Sequence, residues 1–187
     1  MKNIDFRRRR EALTNYKKRL AMIKSGTPRV VVRKSNRRII GQIVTYNEKG
    51  DVVTAYTDSF QVEKKFGWPS RSNRPTAYLT GVMLAKSVKD KNGTSYILDI
   101  GLGSHVKNSI PFIFAKGCID GGMNLQATVD GIDENIYNYS NTTYAKKLKA
   151  EDPKLYEKQY GKYVKDGKDP ESLHTLFDSV KEKIMKE

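Results

Sequence analysis

The sequence predicts an α/β fold: a mixed β-sheet with helices packed on its faces in three layers, a basic helix in front and a helical tail behind. Three observations lead to it. Three β-branched runs follow one another across short polar connections; a helical pattern, a strand and a second helical pattern come next; and helical signals resume after a late change in composition. Short connections make the first three strands an antiparallel meander, whereas a strand reached through a helix joins parallel.

Residues 6–24 place Leu13, Tyr16, Leu20 and Ile23 at spacings of three and four, one stripe of an amphipathic helix with Arg8, Arg9, Lys18 and Arg19 around its other faces. Gly26 and Pro28 supply its stop. Residues 29–34, 38–46 and 52–57 are the meander strands, turned by Ser35-Asn36-Arg37 and by residues 47–51. Residues 58–73 lose periodicity and read as a long surface loop with a helical turn near 60–66, a length usually tied to function. A helix over 74–89 carries Pro75 in its first turn. Asn92-Gly93 makes a turn, residues 95–100 form a buried strand, and 107–122 form a helix striped by Ile110, Ile113, Phe114 and Cys118. Past about residue 135 the chain is rich in tyrosine. Asp152-Pro153 and Asp169-Pro170 each offer a cap followed by proline at the first helical position, which predicts two tail helices. The last carries Leu173, Leu176, Phe177, Val180 and Ile184 on one stripe and must dock on something. Three segments result: a basic arm (1–27), an α/β domain (28–135) and a helical extension (136–187).

Charge narrows the function. The 187 residues hold 35 Lys and Arg against 21 Asp and Glu, a net +14, yet residues 1–40 alone carry 14 bases and two acids. So concentrated a block repels itself and is stabilised by an external polyanion. Nucleic acid fits better than an acidic membrane surface, because the block lacks the bulky apolar face of an interfacial helix. No apolar run approaches the 18 or so residues of a membrane span, and the basic front lacks the apolar core of a secretory signal, so an intracellular, cytoplasmic protein is expected. One cysteine, Cys118, and two distant histidines, His105 and His174, give neither a disulfide nor metal-ligand spacing, so no metal is expected.

Enzymatic signals are weak. Asp99-Ile100-Gly101-Leu102-Gly103-Ser104 follows a strand and precedes a helix, as a nucleotide or S-adenosylmethionine loop would, but it lacks the third glycine of a dinucleotide loop and comes after three meander strands. A strand-to-helix turn needing glycine is the simpler reading, and no cofactor is expected. A two-metal nuclease would need Asp58, Asp99 and Asp130 together, although whole elements separate them. Cys118 sits on an apolar stripe with no base beside it. The catalytic set is therefore empty.

The RNA-binding candidates fall in three clusters: Arg7, Arg8, Arg9, Arg10, Tyr16, Lys17, Lys18 and Arg19 on the arm; Arg33, Lys34, Ser35, Asn36, Arg37 and Arg38 at a hairpin tip; and Trp68, Arg71, Asn73, Arg74 and Tyr78 in and after the long loop. Cations neutralise phosphates, amides and hydroxyls reach 2′-hydroxyls, and aromatic rings stack on splayed bases.

The run from Arg7-Arg8-Arg9-Arg10-Glu11 through Tyr16 and Arg19-Leu20 to Ser25-Gly26-Thr27-Pro28-Arg29-Val30-Val31-Val32-Arg33-Lys34-Ser35-Asn36 resembles the opening of the archaeal and eukaryotic type of large-subunit ribosomal protein that binds 5S ribosomal RNA. So do Phe66-Gly67-Trp68, Pro75-Thr76-Ala77-Tyr78-Leu79-Thr80-Gly81, Leu98-Asp99-Ile100-Gly101-Leu102 and Phe114-Ala115-Lys116-Gly117-Cys118-Ile119-Asp120-Gly121-Gly122. The resemblance spans roughly residues 5–135 and departs after about residue 123. It implies a ribonuclease-H-like domain without nuclease activity that attaches 5S RNA to large-subunit RNA in the central protuberance. Neighbouring ribosomal proteins, another 5S RNA-binding protein among them, are implied as partners. It also makes Asp99-Ile100-Gly101 structural and assigns RNA contact to the three clusters. The competing readings are a methyl-donor-dependent RNA enzyme built on the 99–103 turn and a non-ribosomal RNA chaperone.

Overall fold

The computed structural model describes residues 4–88, 93–165 and 167–186. The meander appears as β1 (Arg29–Lys34), β2 (Ile39–Thr45) and β3 (Val52–Asp58), with β1 against β2 and β2 against β3 antiparallel. β4 (Tyr96–Asp99) pairs parallel to β1, and β5 (Leu125–Gln126) parallel to β4, giving the order β3-β2-β1-β4-β5. β5, two residues long, has too little pattern to be read from sequence. The expected turn at Asn92-Gly93 begins outside the described residues.

The long loop contains α3 (Ser59–Phe66), capped by the Asp58 carboxylate, which accepts from the Gln61 N–H at 3.0 Å. Asn73 caps α4 (Arg74–Ser87) in the same way, and α5 (Ile110–Asp120) begins three residues later than its composition suggested. Both long helices lie on one face of the sheet rather than on two. β3, β1, β4 and β5 run in the same direction, so the crossover through α4 and the crossover through α5 step across the sheet the same way. Right-handed crossovers in one direction stack on one side. Val30 and Val32 of β1 and Ile39 and Ile43 of β2 meet Leu79, Val82, Ile113 and Phe114 there.

α4 is buried all round because α5 crosses one side and the tail covers another. Its crossing with α5 is backbone on backbone: a Cβ on Gly81 would collide with the Phe114 carbonyl oxygen, and one on Gly117 with that of Tyr78. The tail has more helix than expected: a π-helical turn (Asn135–Tyr139), α6 (Ser140–Glu151), α7 (Pro153–Lys165), a 3-10 turn (Pro170–Ser172) and α8 (Leu173–Lys186). The stripe on α8 docks on this same domain, with Phe177, Val180 and Ile184 joining the core. Tyr78 and Tyr137 stack there at 4.4 Å, and burial pushes the Tyr137 phenol up to about 12.

Candidate nucleic-acid interface

The arm is not one helix. α1 (Arg7–Arg10) ends where Ala12 takes a left-handed φ of 52°, and α2 (Tyr16–Lys24) restarts from Asn15, whose side chain accepts from the Lys18 N–H at 3.1 Å. The predicted stripe loses its continuity, and Leu13 and Leu20 are exposed. The arm is held instead by polar contacts. Arg8 Nε donates to Thr14 Oγ1 at 2.8 Å, Arg7 pairs with Glu11 at 2.9 Å, Arg9 pairs with Asp5 at 3.2 Å, and the Phe6 and Tyr16 rings lie 5.8 Å apart. All four arginines of α1 are exposed, as are Lys17 and Lys18.

Strand alternation leaves the other sheet face open. With Val30 and Val32 turned to the helices, Arg29, Val31 and Arg33 project the opposite way, beside Gln42 and Val44 of β2. A chain of ion pairs runs across this face. Arg33 Nη2 reaches Asp99 Oδ1 at 3.1 Å and Arg29 Nη1 reaches Asp99 Oδ2 at 3.2 Å; Arg29 Nη2 and Arg19 Nη2 both reach Asp51 Oδ2 at 2.8 Å. Two carboxylates thus position three guanidinium groups and tie α2 to the sheet. Between arm and sheet lies a cleft of about 460 Å³ whose lining includes Arg8, Lys18, Arg19, Arg29 and Arg33 above and beside Val31, Gln42 and Val44. Its five cations outnumber its two acids, Asp51 and Asp99. Arg29 shares this face with Arg33, four positions away on the same strand, and is buried there, bridging Asp51 and Asp99 rather than facing outward.

The hairpin tip keeps its cations outward. Lys34, Asn36 and Arg37 are exposed; Ser35 Oγ shapes the turn by accepting from the Arg38 N–H at 3.1 Å; and Arg38 leans on Asp58 at 3.6 Å. Tyr56 also donates to Asp58, at 2.8 Å, a bond that raises the phenol above its ordinary range.

The third cluster divides. Trp68 is 1% exposed and donates from Nε1 to Thr76 Oγ1 at 2.7 Å, with Phe177 edge-on at 6.1 Å. Tyr78 is fully buried, donates to Asp120 Oδ2 at 2.9 Å and is raised mainly by that burial. These two rings are core and cannot stack on a base; the loop that sequence reads as open lies beneath α8. Asn73 is used as a helix cap, and Arg71 pairs with Glu63 over the Phe60 ring, while Arg74 remains exposed.

The enzymatic alternatives meet specific obstacles. Asp99 Oδ1 accepts from the Gly101 N–H at 2.8 Å, Arg33 Nη1 donates to the Asp99 carbonyl at 2.7 Å, and the Arg33 guanidinium covers Gly101, whose φ is 65°. The amide and carboxylate a nucleotide loop would offer are already engaged. Asp58 is occupied by Tyr56, Arg38 and the α3 cap, and among the described residues no three His, Cys, Asp or Glu side chains gather as metal ligands. Cys118 is buried and its thiol is pushed up by that burial, the wrong direction for a nucleophile. No helix among the described residues is long and apolar enough to cross a membrane.

Residues 2–97 match a family described as ribosomal large subunit proteins 60S L5, and 50S L18. The chain is 39% identical over 183 residues to the large ribosomal subunit protein uL18 of Sulfurisphaera tokodaii, covering 97% of this chain and 93% of that one. It is 42% identical over 185 residues to the protein of the same name from Thermofilum pendens, with the same coverage of 97% and 93%.

Proposed function

Because the chain belongs to the family of large-subunit ribosomal proteins that includes 60S L5 and 50S L18, and is therefore a ribosomal component, we propose that it binds 5S ribosomal RNA and attaches it to large-subunit RNA in the central protuberance. It does so as a structural constituent without catalysis or cofactor, in the cytoplasm, beside neighbouring large-subunit proteins that include another 5S RNA-binding protein. The arm, the β1–β2 hairpin and the open sheet face form the RNA surface, with Arg74 an outlying contact. The observation that carries this reading is the cleft between α2 and the sheet, in which Asp51 and Asp99 hold arginines in fixed positions while cations remain in excess.

The mechanism is electrostatic and shape-based. Arg8, Arg9, Lys17 and Lys18 are exposed and offer their charges to phosphates, whereas half-exposed Arg33 is preset by Asp99, with buried Arg29 bracing that carboxylate, so less ordering entropy opposes binding at Arg33. Asn36, at the exposed turn, is placed to reach a sugar hydroxyl or base edge.

If about six phosphates are neutralised, log affinity for 5S ribosomal RNA falls against log salt with a slope of roughly −4 to −5. Replacing Arg8 and Arg9 together by Ala flattens that slope by about 1.5 to 2 without unfolding the sheet. A nearly flat salt response of the intact chain contradicts the reading.

A further inference from the structure

The tail carries a cationic surface of its own, on a helix that meets α6 and the 3-10 turn rather than the sheet. α7 packs only lightly on the body, and its apolar side is turned inward: Tyr156 is buried against Ala145 and Leu148 of α6, and Tyr160 packs on that cluster 5.2 Å from Tyr156. At 100° per residue, Lys154, Lys158 and Lys165 therefore share the outer face, and all three are exposed. Lys147, Lys149 and Lys181 of the tail pair with Glu151, Glu171 and Glu134, whereas these three have no acid partner among the described residues. Eleven residue steps separate Lys154 from Lys165, about 16 Å of helix, enough to follow several phosphates of one strand.

We propose that Lys154, Lys158 and Lys165 form a second RNA site, a ridge that follows a phosphodiester backbone. An ammonium group contributes charge without a bidentate pattern, which suits backbone tracking rather than base reading. The ridge is not a membrane face, because the bulky rings Tyr156 and Tyr160 of α7 pack against α6, on the side away from the lysines. The arm cleft lies on the open face of the sheet and α4 and α5 on the other; α8 packs on α4, and α7 reaches the body through α6 and the 3-10 turn, so the two surfaces engage different stretches of RNA. This deepens the ribosomal reading and rests on it, adding a contact in the part of the chain beyond the matched residues 2–97.

The test uses the full-length chain with 5S ribosomal RNA and, separately, large-subunit ribosomal RNA, measuring affinity across a salt series. Lys154→Gln, Lys158→Gln and Lys165→Gln are combined in one variant, and Lys→Arg at the same positions in another, both checked for native circular dichroism. The expected result is a slope flattened by about 2 to 3 with one of the two RNAs in the Gln variant and restored in the Arg variant; the RNA affected identifies the strand that lies on the ridge. Slopes unchanged by the Gln variant with both RNAs overturn the ridge. If Arg8→Ala and Arg9→Ala still flatten the 5S slope in that event, the arm reading survives alone. If neither variant alters either slope, both readings fail.

Discussion

Asp99 is the residue on which the open face turns. It receives Arg29, Arg33 and the Gly101 amide at once, and its side chain and that of Arg29 are both nearly buried, at 7% and 5% exposure. Taking away its charge leaves a guanidinium group half-satisfied in a low-dielectric site, so Asp99→Ala is expected to destabilise the chain by about 3 kcal/mol in a urea titration and to weaken RNA binding through misplaced arginines. Loss of stability below about 1 kcal/mol would show that Asp51 alone suffices for Arg29. The same residue marks what sequence could supply. A carboxylate before Ile100-Gly101 looks like a cofactor loop until its partners are known, and those partners lie 70 and 66 positions away, beyond any local pattern. Trp68 and Tyr78 were misread for the same reason. An aromatic residue in an aperiodic loop looks available for stacking, and only the arrival of Phe177, more than a hundred positions later, makes Trp68 core.

Elements with a strong local signal were legible. β1 falls on the predicted residues 29–34, and Pro75 in the first turn marked the start of α4. The arm was legible as cationic and helical but not in its break, because Ala12 is a good helix former and its left-handed φ follows from the restart at Asn15 rather than from its own preference. β5 and the inward orientation of the tail depended on tertiary partners. The α4–α5 crossing yields a sharp expectation at this scale: Gly117→Ala brings a methyl group onto the Tyr78 carbonyl, where only backbone can give way. It should cost about 3 kcal/mol or more of stability in thermal or urea unfolding, whereas an alanine at half-buried Gly161 within α7, which meets nothing nearby, should be neutral or stabilise by up to about 1 kcal/mol. Equal effects at the two positions would mean the helices are not so closely crossed.

At the scale of the whole molecule the chain is layered by charge: a cationic arm over an arginine-bearing sheet face, an apolar middle of α4 and α5, and a tail whose outermost helix is again basic. An excess of +14 is tolerable in a folded protein only if the like charges are kept apart or met by an outside anion, and here both devices are at work. Asp51 and Asp99 temper the cleft, while the exposed arginines of α1 meet, among the described residues, the two nearby acids Asp5 and Glu11. Large-subunit membership accounts for the surplus, because the ribosome supplies phosphate in every direction. The central claim is that the cationic front lies on RNA. Protein–RNA crosslinking of assembled large subunits, read out by mass spectrometry, tests it most directly. The account predicts crosslinks to 5S ribosomal RNA from residues 7–19 and 33–38, and finding those residues free of RNA while crosslinks concentrate elsewhere on the chain would contradict it.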